Sequence, residues 1–193
     1  MGITLYGGPQ TRASMPRWYM EEKGIPYELV EVSIGSSQNL QPEFLAVNPF
    51  GKLPAMRDDA VLDASGQPVT LFESGAILLH LAEHHGGEIN TAADRSRISQ
   101  WTHFANSTLA FAIFVPDQKL KVLPRLLKQL NEQIGKGFLV GDAWGAADCA
   151  VTAYLAYIKL FFPQEDLSAY PAVEALIEAT RQRPAYRAVM GMG

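Results

Sequence analysis

Residues 48–56 read Asn-Pro-Phe-Gly-Lys-Leu-Pro-Ala-Met (NPFGKLPAM), and the second proline decides how the first half of the chain folds. Proline has no N–H to give a ladder, so within a sheet it stands at a strand's first residue, at an edge or at a bulge. LPAMRD is a strand pattern, so Pro54 opens that strand. What the backbone of Leu53, just before it, is exposed to is then the question this stretch raises.

Upstream, ITLYG (3–7) is a short strand and GGPQT a turn. SMPRWYMEEKG (14–24) has helix punctuation at both ends, with Ser14 as a cap, Pro16 in the first turn and Gly24 able to close the helix at positive φ. YELVEVSI (27–34) alternates at period two and is a second strand, and QPEFLAV makes a short helical turn. Downstream, PVTLFE pairs with LPAMRD across a loop containing ASGQP. SGAILLHLAEHHGG (74–87) is a helix capped by Ser74 and ended by two glycines. The order is β-α-β-α-β-β-α.

Beyond GGEIN the pattern is helical only. Residues 93–114 form one helix. In 117–135, Leu120, Leu123, Leu127, Leu130 and Ile134 recur at spacings of three and four, a core-facing stripe in which Pro124 either kinks one helix or starts another. Residues 145–162 are apolar nearly all round and belong at the centre of a bundle; two shorter helices follow. The expected organisation is an α/β domain over 1–83, a linker over 84–92 and an all-α helical bundle domain over 93–193.

Composition narrows the function. Of 193 residues, 48% are hydrophobic and 19% charged, which is ordinary for a globular chain. A net charge of −4 with scattered Lys and Arg argues against a nucleic-acid partner. The absence of a long apolar run argues against a membrane partner, and the N-terminus lacks a signal-peptide layout. Cys149 is the single cysteine, so no disulfide framework is possible and a cytoplasmic location is expected.

Four stretches in order, LYGGPQTRASMPRWYMEEKGIPYE, PEFLAVNPFGKLPAM, TLFESGAILLHLAEHHG and FLVGDAWGAADCAV, resemble the cytosolic glutathione S-transferases from end to end. The resemblance implies a thioredoxin-like N-terminal domain that binds glutathione and a helical domain that binds the electrophile. It implies a homodimer, and glutathione as co-substrate with no other cofactor. It also implies a cis bond before Pro54, with Leu53 pairing its free N–H and C=O to the cysteinyl backbone of glutathione. Ordinary physics permits this, because an unpaired edge is a template for an extended peptide.

The same resemblance places the γ-glutamyl end at Glu73 and Ser74. A serine at a helix start offers a hydroxyl and free N–H groups to a carboxylate, and Glu73 can take the ammonium. Lys52 and Asn39 fall where relatives hold the glycyl carboxylate. Gly51-Lys52 is not a phosphate loop, since the upstream glycine and following Ser/Thr are missing. For thiol activation, Thr11 is in place counting from the strand and Tyr6 counting back from Arg17-Trp18 and Gly24, while Ser14 remains a third hydroxyl. Arg12 supplies a cation whichever donor acts. No cysteine lies in this loop, which excludes classes that use a protein thiol there.

In the helical half, Trp101, Phe104, Thr108 and Phe111 form an aromatic stripe that is either core or pocket. Asp148 matches the family's buried capping aspartate, but the usual Ser/Thr three residues earlier is Gly145, which puts the capping box in doubt. HLAEH (80–84) has the spacing of a zinc-protease pattern. That helix is already explained and no third ligand is evident, so no metal is expected, and His80, His84 and His85 are assigned to an exposed helix end. The implied activity is conjugation of the glutathione thiolate to small hydrophobic electrophiles, a detoxification reaction. The alternatives are glutathione-dependent disulfide or peroxide reduction without a protein thiol, and a non-catalytic glutathione-binding scaffold.

Overall fold

The computed structural model describes residues 2–8 and 11–192, so Pro9 and Gln10 of the expected turn lie outside it. The chain divides between Gly87 and Glu88 into two compact units.

The first unit is built on β1 (Ile3–Gly7), β2 (Tyr27–Glu31), β3 (Ala55–Leu62) and β4 (Pro68–Phe72) in the order β2-β1-β3-β4. β1 runs parallel to β2 and antiparallel to β3, and β3 is antiparallel to β4. Alternation along β1 sends Ile3 and Leu5 to one buried face and Tyr6 to the other. Tyr6 there packs with Val30, Val32, Phe44, Val47, Leu53 and Ala55, its ring edge-on to Phe44 at 6.0 Å. Helices α1 (Ser14–Lys23) and α3 (Ser74–His84) pack on each other, and α3 lies on β3 and β4. α2 (Pro42–Leu45) is the short helical turn that carries Phe44.

Two expected caps are corrected. Ser14 is the first residue of α1 and not its cap; the turn before it is held by Thr11, whose Oγ1 accepts from the Ala13 N–H at 3.3 Å. Ser74 is likewise the first residue of α3, and the capping position belongs to Glu73. The second strand ends at Glu31, because the chain turns away through Val32 to reach the 3-10 turn Gln38–Leu40. Gly24 does close α1 at φ 64°.

The second unit is centred on α8 (Ala146–Phe161), buried from Ala146 through Ile158 as its composition implied. α4 (Ala92–His103), a π-helical segment (Phe104–Leu109), α5 (Ala110–Phe114) and α9 (Pro171–Gln182) pack on it. The π-turn changes the phase of what was expected as one helix. The buried face becomes Ile98, Thr102, Ala105, Leu109 and Ala112, while Thr108 is exposed and Phe111 is 54% exposed. The aromatic stripe is therefore not core. α6 (Pro116–Lys121) and α7 (Leu123–Ile134) are separate helices, with Pro124 in the first turn of the second. Leu123, Leu127 and Leu130 are buried, but Leu120 sits on the other helix, out of phase, and is 78% exposed. α10 (Pro184–Met190) ends the chain's helices.

The start of α8 resolves the capping question. Asp148 accepts the N–H groups of Gly145 (3.1 Å) and Leu139 (3.0 Å). The Ala146 N–H goes instead to Glu88 Oε2 at 2.9 Å. A Cβ on Gly145 would collide with that carboxylate, so glycine and glutamate together replace the missing hydroxyl. Burial pushes the Asp148 carboxyl above its ordinary value; the two backbone donors pull it back and the nearby Glu88 charge adds to the rise.

These contacts give two expected outcomes. Glu88→Ala lowers stability by about 1 kcal/mol and Gly145→Ser, whose Cβ displaces the Glu88 carboxylate, by a similar amount, while the double variant loses no more than either single change because the serine caps the helix without the clash. Chemical denaturation of the four proteins reads this as a coupling of about 1 kcal/mol, and simple additivity refutes it. Because the folded Asp148 holds its proton more tightly than the unfolded one, its contribution falls as pH rises from the ordinary 3.8 through the raised value. Glu88→Gln should lessen that slope only in part in urea midpoints measured across the acid range, since burial is its larger cause.

Candidate functional site

Pairing of β3 starts at Ala55, which faces Tyr6 on one side and Phe72 on the other. The Leu53–Pro54 bond before it is cis, as expected. Leu53 therefore presents its peptide beyond the end of the ladder, and it lines a cavity of about 530 Å³. The volume falls within the usual range for small-molecule sites.

That cavity gathers residues from four separate parts of the sequence. Thr11 and Arg12 come from the turn before α1, Asn39 from the 3-10 turn, Asn48 to Pro54 from the loop entering β3, and Phe72 to Ser74 from the start of α3. Every sequence-predicted glutathione residue, Asn39, Lys52, Leu53, Glu73 and Ser74, is on its lining, as are Thr11 and Arg12. Tyr6 and Ser14 are not among the described lining residues.

The polar groups have definite partners. Thr11 Oγ1 donates to the Gly8 carbonyl at 2.8 Å and lies 3.4 Å from the Gly8 N–H, so the hydroxyl closes its own turn. Asn39 gives its Nδ2 to the Gly51 carbonyl at 2.8 Å, leaving its buried Oδ1 without a protein partner. An amide oxygen there can accept an N–H but repels a carboxylate. This orientation disfavours Asn39 as a ligand for the glycyl end, which Lys52 on the exposed rim can still reach.

The residue that sequence reasoning missed is Asn48, which is completely buried. Its Nδ2 donates to the Lys52 carbonyl at 2.7 Å and its Oδ1 accepts from the Phe50 N–H at 3.1 Å. One carboxamide thus fixes the loop that delivers Leu53. The available signal was its place before a proline in a turn with no obvious polar task.

Glu73 has φ 71° and ψ 117°, a left-of-plane backbone that costs a non-glycine residue of order 1–3 kcal/mol. The strain turns the chain sharply from β4 into α3 and aims the Ser74 end of the helix at the cavity. Arg12 and Lys52 bring positive charge to the lining and Glu73 negative charge, a set that suits a zwitterionic peptide.

Residues 1–83 match the family described as the glutathione S-transferase N-terminal domain, and residues 109–188 match its C-terminal domain. The chain is 32% identical to the disulfide-bond oxidoreductase YfcG of Escherichia coli strain K12, over 95% of this chain and 92% of that one. It is 28% identical to glutathione S-transferase F13 of Arabidopsis thaliana, over 96% and 94%. Among solved structures, a glutathione transferase of Burkholderia graminis with two glutathione molecules bound per subunit superposes with a TM-score of 0.79 at 28% identity. That match covers 98% of this chain and 87% of the other. A Pseudomonas putida glutathione transferase with one glutathione disulfide bound gives 0.78 at 25% identity, covering 98% and 90%. The chain belongs to the glutathione S-transferase family. Among the described residues no helix is long and apolar enough to cross a membrane.

Glu73→Gly separates backbone from side chain. Thermal melts should register equal or higher stability, by up to about 1 kcal/mol, since glycine adopts this φ freely. Isothermal titration should register at least tenfold weaker glutathione binding. Unchanged affinity would remove Glu73 from the site.

Proposed function

We propose that this protein is a glutathione transferase that attaches the glutathione thiolate to small hydrophobic electrophiles. The observation that carries the reading is the unpaired peptide of Leu53 sharing one cavity with the helix start at Ser74 and the cation of Arg12. Glutathione lies extended along Leu53, exchanging backbone hydrogen bonds as an added strand. Its γ-glutamyl carboxylate takes the Ser74 hydroxyl and the N–H groups at the start of α3, and its ammonium takes Glu73. Lys52 holds the glycyl carboxylate. Asn39 steadies the Gly51 turn and offers its oxygen to a peptide N–H.

The thiol then lies toward Thr11 and Arg12. A free thiol titrates near pH 8.5, and a cation with a hydrogen-bond donor lowers that. Arg12 supplies the charge, and Thr11 turns its proton from the Gly8 carbonyl to the sulfur. Tyr6 is the less suitable donor, because its ring packs against Phe44. The thiolate forms a carbon–sulfur bond, the electrophile's leaving group departs with its electron pair, and the thiol proton goes to solvent.

A second reading has its own support. The similarity to a disulfide-bond oxidoreductase, and a solved relative holding glutathione disulfide, suit reduction of disulfides by bound glutathione. Cys149 is buried in α8 and cannot take part, so glutathione would supply every reacting thiol. The activated thiolate is common to both readings.

Ultraviolet titration of glutathione bound to the protein should find a thiolate band well below the pH at which the free thiol ionises. Arg12→Ala and Thr11→Val should each move it back toward the free value, and Tyr6→Phe should leave it in place. Parallel turnover of a chloronitrobenzene and of a small mixed disulfide then decides the reaction: faster disulfide turnover overturns conjugation. A thiol that titrates as in water overturns both.

A further inference from the structure

The three histidines near the end of α3 do not form the exposed cluster that their sequence suggests. His80 is only 8% exposed and points at Asp58, which is completely buried on β3. His80 Nε2 lies 2.9 Å from Asp58 Oδ2, and His85 Nε2 lies 2.6 Å from the same oxygen. Helical spacing would pair His80 with His84, one turn later. His85 replaces it because it is the C-terminal capping residue, with φ −130° and ψ −26°, and has left the helical path. That departure swings its imidazole back to the face that His80 occupies. His84 stays on the helix, its ring 4.5 Å from the His80 ring. The other Asp58 oxygen, Oδ1, accepts the Ala60 N–H at 2.9 Å, which fixes the carboxylate where the β3–β4 register shifts.

We propose that Asp58, His80 and His85 form a binding site for a divalent transition-metal ion of the zinc type. Their three ligand atoms lie within 4.8 Å of one another. Zinc binds imidazole nitrogen and carboxylate oxygen at about 2.0–2.2 Å, so tetrahedral ligands stand roughly 3.3 Å apart. To reach that value the 2.6 and 2.9 Å nitrogen–oxygen separations widen by roughly 0.4–0.7 Å, and the imidazole nitrogens, at most 4.8 Å apart, draw together by up to about 1.5 Å, which side-chain torsions of the two histidines supply. Both histidines converge through Nε2. With the ion bound, each ring carries its proton on Nδ1, and the two Nε2 lone pairs and Asp58 Oδ2 enclose the ion. Two imidazoles and one carboxylate make a three-ligand set with a fourth position for water, reached past His85, which is 21% exposed.

The site is distinct from the glutathione cavity. Asp58 lies three residues along β3 from Ala55, and His80 lies six residues along α3 from Ser74, about 9 Å at the helical rise. An ion there ties β3 to the C-terminal end of α3. It is a structural ion, not a participant in thiol chemistry.

The test uses the full chain, stripped with chelator and kept free of glutathione, whose thiolate would compete for metal. Cobalt(II) is titrated by visible absorption and zinc(II) by calorimetric competition. One equivalent of cobalt should bind with ligand-field bands of a low-coordinate site, and zinc should displace it and raise the melting temperature. His85→Ala, at a half-buried position that the fold tolerates, and Asp58→Asn should each weaken binding at least tenfold, whereas His84→Ala should retain it. Absence of the cobalt bands overturns the proposal. So does binding that survives His85→Ala, or that is lost with His84→Ala and kept with His85→Ala.

Discussion

The first unit depends on a loop being held still just outside a sheet. β3 stops pairing at Ala55, and two residues earlier the Leu53 peptide lies open. An open peptide at a sheet's end would ordinarily be satisfied by water or by another chain. Here Asn48 prevents the loop from wandering, bonding both Phe50 and Lys52 from a fully buried position. A buried carboxamide with one face used on each side is costly to replace, because truncation strands its partners without solvent. The cavity keeps its shape because this bond pair is satisfied inside the protein, independently of any ligand.

A second constraint acts from the opposite wall. The turn from β4 to α3 passes through Glu73 at positive φ, a conformation glycine would accept without cost. Retaining a glutamate there trades stability for a carboxylate beside the helix start. Loop and strained turn together explain why residues from distant parts of the sequence line one space. The glutathione reading rests on that convergence more than on any single side chain.

Much of this was legible in the residues. Pro54 announced the end of the ladder, the apolar run of α8 its burial, and Pro124 a helix boundary, since each reflects a local rule that tertiary packing does not override. What was not legible depended on phase and on distant partners. The π-turn at Phe104–Leu109 has no glycine or proline to mark it, so spacing alone left the aromatic stripe open between core and pocket. Leu120 lost its place when one helix became two. Asn48 drew no reading because its partners are carbonyl and amide groups that sequence does not display. His80 and His85 meet at Asp58 through a backbone departure after His84, which spacing alone cannot reveal.

The Glu88 cap also bears on how the chain can be divided. Glu88 is the first residue of the second unit, yet its carboxylate closes the N-terminus of α8, 58 positions away in sequence. The connecting segment is therefore part of the helical bundle's own framework. A recombinant helical fragment begun at residue 93, or a chimera spliced anywhere after 88, would leave the central helix with an unsatisfied N–H group and space at Gly145. Exchange of modules between relatives would have to carry Glu88 and Gly145 together, or restore a hydroxyl in their place.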